Sequence, residues 1–248
     1  MAEILRSEGI VLKTYDFRET SRIITFFSKD FGRLKLLAKG IKKPGSRFGA
    51  SLELFTHSSV IFYKRETKEI YTVSDSQIIH SFDRLRCNLT CFAEASNILN
   101  FLSGTTPAEE PHTQLFRLSL SALRLLENRP ERVFVWGYLI KALALLGYSP
   151  EFTRCVECGK PSDSTRFCIE RGGVVCMECQ KDVPGLNLSR ATISVLKNAQ
   201  ERELQELVSS EPSSSQVNEI HRFFRTFIYY HLNLEVSFRG PGESWLFK

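Results

Sequence analysis

The sequence predicts an α+β chain of more than one domain, with a small five-stranded barrel followed by a helical domain that is interrupted by a cysteine-bearing insert. Three observations carry this reading. The apolar period is two over the first 80 residues and changes to 3.6 from about residue 82. Residues 155–180 read CVECGKPSDSTRFCIERGGVVCMECQ and hold five of the seven cysteines. At 248 residues the chain is also longer than an average single domain, so a split core is expected. The boundaries that follow are residues 1–80 for the barrel and 81–248 for the helical domain, with the insert at 152–183.

Taken in order, EGIVLKTYD, TSRIITFFS, GRLKLLAKG, LFTHSSVIFYKR and EIYTVSDSQII are rich in β-branched and aromatic residues, as pleated strands require. Turn chemistry separates them. Asp30-Phe31-Gly32 precedes the third strand, and KKPGSRFGAS, rich in Gly, Pro and Ser, follows it. Five short strands with a basic loop suit an oligonucleotide-binding barrel, and a small SH3-like barrel would fit the same count.

Helical spacing then takes over. Residues 83–103 place Leu85, Leu89, Phe92, Ala95, Ile98, Leu99 and Leu102 three or four apart, with Cys87 and Cys91 expected as packed thiols on the same helix. Residues 112–127 repeat the pattern. FVWGYLIKALALLGY (134–148) is apolar on all sides and is stopped by Gly147 with Pro150 beyond, which predicts a buried core helix. It holds 15 residues with Lys141 inside, short of the roughly 20 that span a bilayer. Residues 189–208 and 214–232 complete the helices, and SSEPSSS (209–215) reads as a surface loop. Val217, Ile220, Phe223, Phe224, Phe227, Ile228 and Leu232 form one stripe of the last helix, while His221, Arg222 and Arg225 lie off it, as a solvated face or a second basic patch.

Hydrophobic residues are 42% and charged residues 25% of the chain, ordinary globular values that exclude a disordered or low-complexity class. The first residues are acidic where a secretory signal would be basic, so a cytoplasmic chain with no membrane role and with reduced thiols is expected. Net charge is +5. Residues 1–80 carry 14 Lys and Arg against 9 Asp and Glu, and the remainder balances at 19 of each. The whole excess therefore lies in the first third, and residues 29–47 hold seven basic residues and one acid, Asp30.

Cys155-x-x-Cys158 and Cys176-x-x-Cys179 have the spacing of a four-cysteine zinc site. Each pair supplies two sulfurs from one tight turn, and RFCIERGGVVC between them reads as a hairpin that returns the second pair beside the first. This is a zinc ribbon. Four thiolates close the coordination sphere of one Zn²⁺, so the expected role is structural, and Cys168 is expected as a packed thiol in a hairpin strand. A nucleobase deaminase would need His-x-Glu, which none of the five histidines supplies, and a thioredoxin-like pair would need a βαβ context.

In GRLKLLAKGIKKPGSRF (32–48), period two sends Leu34, Leu36 and Ala38 to one face and Arg33, Lys35, Leu37 and Lys39 to the other. Lys42, Lys43 and Arg47 follow in the loop, with Phe48 available to stack on an unpaired base. Cations on phosphates with aromatics on bases bind single strands with little sequence preference. A merely solvated strand face is the alternative. Gly40 and Gly45 have P-loop spacing, but Ser46 stands where that motif needs Lys. No nucleophile with its base and no dinucleotide fingerprint is present, so a non-enzymatic protein is expected. The rival classes are an RNA-binding barrel with a zinc ribbon in translation or RNA processing, and a zinc enzyme acting on nucleic acid.

The segment EGIVLKTYDFRETSRIITFFSKDFGRLKLLAKGIKKPGSRF, together with LLGYSPEFTRCVECG and FCIERGGVVCMEC in that order and spacing, resembles the bacterial RecO family of recombination mediators over nearly the whole chain. The resemblance implies an oligonucleotide-binding barrel, a helical domain with the zinc ribbon, and binding of single- and double-stranded DNA. It implies annealing of complementary strands and, with RecR, loading of RecA onto strands coated by the single-stranded DNA-binding protein, in the RecF pathway of repair and recombination. It also implies that the helical domain takes that protein's acidic, Phe-ended tail, for which Arg222 and Arg225 on the last helix are the candidate contacts.

Overall fold

The computed structural model describes residues 3–65, 68–207, 212–236 and 238. Part of the expected 209–215 loop lies outside these residues. The described residues separate into two compact units, one reaching to residue 128 and the other starting at residue 129. The first unit therefore gathers the strands and the first helices, and the second holds the cysteine insert.

The first unit opens with β1 (Glu3–Phe17), β2 (Ser21–Ser28), β3 (Gly32–Ala38), β4 (His57–Lys64) and β5 (Ile70–His80). β1 pairs with both β2 and β4, β3 with β2 and, in parallel, with β5, and β4 with β5, so the sheet closes in the order β1-β2-β3-β5-β4. Closure leaves no free edge among these strands. The interior is filled by Val11, Ile24, Phe26, Leu34, Leu36, Ala38, Val60, Phe62, Tyr71 and Val73, with Phe48 and Leu52 from the β3–β4 connection. That connection is a chain of tight turns rather than an open loop: Lys43 N donates to Gly40 O, Ser46 N to Lys43 O, Gly49 N to Ser46 O and Ser51 N to Phe48 O. The turns drive Phe48, Leu52 and Phe55 into the core.

Helices α1 (Asp83–Cys87), α2 (Leu89–Thr105) and α3 (Thr113–Asn128) belong to the same unit. The single helix expected over 83–103 is two helices. Asn88 breaks it: its side chain accepts from Cys91 N at 3.0 Å and caps α2, a geometry Asn favours over helix interior. The break turns Cys87 and Leu89 outward, against the expectation that both pack, whereas Cys91 is buried. Phe116 of α3 packs edge-on against Phe27 and against His57, and Phe92 of α2 against Phe55. These contacts cover the outer surface of the barrel on one side.

In the second unit, α4 (Arg132–Leu145) is buried on nearly every side, and Gly147, with φ of 87°, ends it as expected. Three short strands follow, β6 (Arg166–Cys168), β7 (Gly173–Val174) and β8 (Leu186–Asn187), paired in the order β7-β6-β8. Then come α5 (Arg190–Glu201), a turn of 3₁₀ helix at Leu204–Glu206 and α6 (Ser214–Leu232). Ser189 caps α5 and Ser213 caps α6, each accepting at 3.2 Å from the backbone of the third residue on. Phe152, Phe167, Phe223 and Phe227 interlock through ring contacts of 5.1 to 6.1 Å, tying the insert to the apolar stripe of α6. No described helix is long and apolar enough to cross a membrane.

Candidate nucleic-acid interface and metal centre

Directly paired residues share a face of a sheet, so the barrel's outer surface can be read in rows across β1, β2 and β3. The first row, Ile10–Phe27–Arg33, lies under cover. Phe27 is sealed by Phe116, and residues 106–110 run beside β3, where Arg33 Nε donates to Thr106 O at 2.8 Å and Glu109 N donates to Arg33 O at 3.2 Å. The next rows are more open, with Tyr15 and Lys35 exposed, most of the others half-buried and Thr25 buried. These rows are Lys13–Thr25–Lys35, then Tyr15–Ile23–Leu37, then Phe17 beside Ser21. Lys39 lies just beyond the end of β3 and lines one cleft together with Leu37.

The candidates from the basic segment fall into distinct environments on this surface. Lys35, Lys39, Lys43 and Arg47 are exposed. Lys42 is exposed but pairs with Asp16 at 2.9 Å, and Asp16 also accepts from Arg22 at 3.0 Å, so its carboxyl is held below the usual range by Lys42 and then Arg22. Arg33 is half-buried and committed to Thr106. Phe48 does not offer an open ring: it is 3% exposed inside the barrel, with the Arg47 guanidinium 5.1 Å over its face. The expected stacking role for Phe48 is therefore corrected, because the tight turns of the β3–β4 connection fold its ring into the core.

Other side chains supply what Phe48 does not. At the open end of the β1–β2 hairpin, Phe17, Arg18, Glu19, Lys39 and Lys43 line a cleft of about 740 Å³. The Arg18 guanidinium lies 5.3 Å over the Phe17 ring. Lys13 sits half-buried in the Lys35 row, and burial, then the charge of Arg33, push its pKa down. Tyr15 is 52% exposed in the middle of the open rows. Lys13, Tyr15 and Phe17 come from β1, outside the charge cluster that singled out residues 29–47. The signal that exposes them is a β-bulge at Leu12, which lies between the pairs Val11–Phe26 and Lys13–Thr25.

In the second unit, the sulfurs of Cys155, Cys158, Cys176 and Cys179 all lie within 4.8 Å of one another. Cys158 Sγ and Cys176 Sγ are 3.8 Å apart. A tetrahedral ion bonded to sulfur at 2.3 Å requires sulfur–sulfur edges of about 3.8 Å, so the donor set fits one zinc-sized ion. Each pair sits on a turn: Gly159 N donates to Cys155 O at 2.8 Å and Cys179 N to Cys176 O at 3.1 Å. Cys176 N also donates to Cys155 Sγ at 3.3 Å. Burial alone would raise the Cys155 thiol, but backbone N–H groups from Cys176, Cys158 and Glu157 bring its pKa down to about 6, favouring the thiolate a metal needs. Cys168 is outside the group, 1% exposed and packed on Val175 and Cys155. The β6–β7 hairpin that joins the two pairs turns at Gly172, whose φ of 75° no β-branched residue would accept.

On α6, Arg222 and Arg225 are both exposed, as expected of residues off the stripe. Arg222 donates to Asn187 O at 3.1 Å. Arg225 lines a shallow cleft of about 420 Å³ with Thr226, Tyr229, Glu235 and Val236. His221 differs from its two neighbours: its ring stacks 4.6 Å from Phe238, and burial, then Arg132 and Arg225, push its pKa down to about 4.

Comparison with known proteins agrees with both halves. The family described as "Recombination protein O N terminal" matches residues 1–82, and "Recombination protein O C terminal" matches residues 88–237. A DNA repair protein RecO of Thermodesulfovibrio yellowstonii is 32% identical, with 96% of this chain and 95% of that protein aligned. One from Desulforamulus reducens is 30% identical, with 95% and 92% aligned. The chain spans both families and nearly the full length of these relatives, and it belongs to the RecO family of DNA repair proteins.

Proposed function

We propose that the protein is a recombination mediator whose barrel is an oligonucleotide-binding fold that holds DNA on the open rows of β1, β2 and β3. The observation that carries this reading is the grouping of exposed Lys35, Lys39 and Lys43 with the hairpin cleft on one part of the barrel, beside the Ile10–Phe27–Arg33 row that Phe116 and residues 106–110 cover. Lys35, Lys39, Lys43 and Arg47 contact phosphates. Arg33 and Lys42, held by Thr106 and Asp16, add positive potential from fixed positions. Neutralising two strands on one cationic surface lets complementary strands meet, and base pairing supplies the sequence information. Single- and double-stranded DNA both bind through this electrostatic contribution.

The partners in this reading are RecR, the single-stranded DNA-binding protein and, through them, RecA, acting in the cytoplasm at the nucleoid. The α6 cleft beside Arg225 is the place we assign to the acidic, Phe-ended tail, since it joins a cation to the aromatic Tyr229. The four cysteines hold one structural Zn²⁺ that completes the ribbon and performs no chemistry. The protein binds and positions strands and is not an enzyme.

The test is annealing of complementary oligonucleotides already coated with the cognate single-stranded DNA-binding protein, followed by fluorescence at several salt concentrations. Acceleration that fades with salt is expected. Absence of acceleration by folded, metal-loaded protein would overturn the mediator reading, and tight preference for folded RNA over DNA would select an RNA-binding module instead.

A further inference from the structure

The open surface of the barrel carries an ordered pattern that phosphate binding alone does not use. The Tyr15–Ile23–Leu37 row is apolar and lies between two rows that carry cations, Lys13 and Lys35 on one side and Lys39 with the Arg18–Lys43 cleft on the other. Adjacent same-face rows are two residues apart, roughly 7 Å along a strand. An exposed aromatic ring held on a closed barrel between two lines of cations is a platform for a flat, unpaired base whose flanking phosphates reach the cations. A duplex keeps its bases stacked inside and has no free face to offer.

We propose that Tyr15 stacks on an unpaired base of single-stranded DNA, so that the barrel distinguishes single strands from duplex through this one ring. The proposal rests on the reading that DNA lies on these rows. Ile23 beside Tyr15 on β2 and Leu37 beyond it on β3 continue the apolar row on one side, and Phe17, beneath the Arg18 guanidinium, extends the platform toward the cleft. The bulge at Leu12 places Tyr15 here. Without the extra residue, alternation from Ile10 would turn Lys13, Tyr15 and Phe17 toward the barrel interior.

The experiment measures equilibrium binding of one oligonucleotide, single-stranded and as duplex, across a salt series, with Tyr15→Ala, Tyr15→Phe and Lys35→Ala/Lys39→Ala proteins checked for folding by thermal melting. Tyr15 is half exposed, so its replacements are expected to fold. For Tyr15→Ala we expect a loss of roughly 5- to 150-fold on single strands, little change on duplex and an unchanged salt slope, because no phosphate contact is removed. Tyr15→Phe should retain single-strand binding. Equal losses on single strand and duplex, or a Phe variant as weak as Ala, would overturn the proposal. If the lysine pair weakens binding and Tyr15→Ala does not, the stacking role falls and the electrostatic reading stands; if neither does, both fall.

Discussion

The Arg33 guanidinium donates to the carbonyl of Thr106 at 2.8 Å, while the backbone of Arg33 accepts from Glu109, so a residue drawn from a cationic run serves as a clasp. Its charge is spent on holding residues 106–110 against β3. Arg33→Ala should therefore act on stability more than on binding. A charge-assisted hydrogen bond of this kind contributes about 1.5–3 kcal/mol. We expect an unfolding free energy lower by that order, seen as a lower denaturant midpoint, and a nearly unchanged slope of log affinity against log salt. Lys35→Ala and Lys39→Ala, whose ammonium groups are free in solvent, should each flatten that slope by about 0.7 on single strands without moving the midpoint. Chemical denaturation and salt-dependent anisotropy on the same three variants check both halves.

The same clasp predicts a severe glycine substitution. Gly32 has φ of +64°, and a Cβ there would meet the carbonyl oxygen of Glu110 at 2.2 Å. Both the backbone conformation and the backbone neighbour resist a side chain, so Gly32→Ala should cost about 1–3 kcal/mol or more. Gly45 shares a positive φ but has nothing within 4 Å of the same position, and Gly45→Ala should cost less. Thermal melts of the two variants side by side test the contrast.

Tyr71 reports on the other end of the clasp. Its hydroxyl donates to Glu109, whose second oxygen accepts from Lys64 Nζ at 2.7 Å. Burial, then Glu109, push the Tyr71 pKa up to about 12 from the ordinary 10. A group whose folded pKa is raised supports the fold fully below its unfolded pKa, so this contribution is present to pH 10 and is lost as pH climbs toward 12. The difference between wild type and Tyr71→Phe in phenolate absorbance should be a step near pH 12 in folded protein, moving to about 10 in denaturant. Alkaline stability of the wild type should begin to fall within that window.

Strands β3 and β1 mark what the sequence could and could not disclose. Inward Leu34, Leu36 and Ala38 with outward Lys35 were legible from alternation, since β3 is short and regular. The outward set on β1 was not, because the bulge at Leu12 inserts one residue and reverses parity without a Gly or Pro to announce it. Phe48 misled for a related reason: a Gly- and Ser-rich stretch promised an exposed loop, but its successive turns coil the chain inward. The cysteine cluster was fully legible, as two Cys-x-x-Cys pairs carry their geometry in their spacing. Asn88 carried a readable cap signal that a continuous 3.6-residue pattern masked, and Arg33's commitment to Thr106 depends on a contact 73 residues away.

For the cysteine cluster, the 3.8 Å approach of Cys158 and Cys176 sulfurs sets the last expectation. Elemental analysis should find about one zinc per chain. Cys155→Ser should do more damage than Cys158→Ser, because Cys155 is 1% exposed beside Val175 and Cys168, whereas Cys158 is exposed. Removing the ion with a chelator should lower the melting temperature and expose thiols to titration. DNA affinity of protein that stays folded should change little, since the proposed phosphate contacts all lie on the barrel unit. Acid should release the ion as the thiolates take up protons, so loss of metal and loss of stability should follow one curve. Metal release that leaves the melting temperature unmoved would remove the structural role from the ion and assign the ribbon's stability to the Phe152–Phe167–Phe223 packing alone.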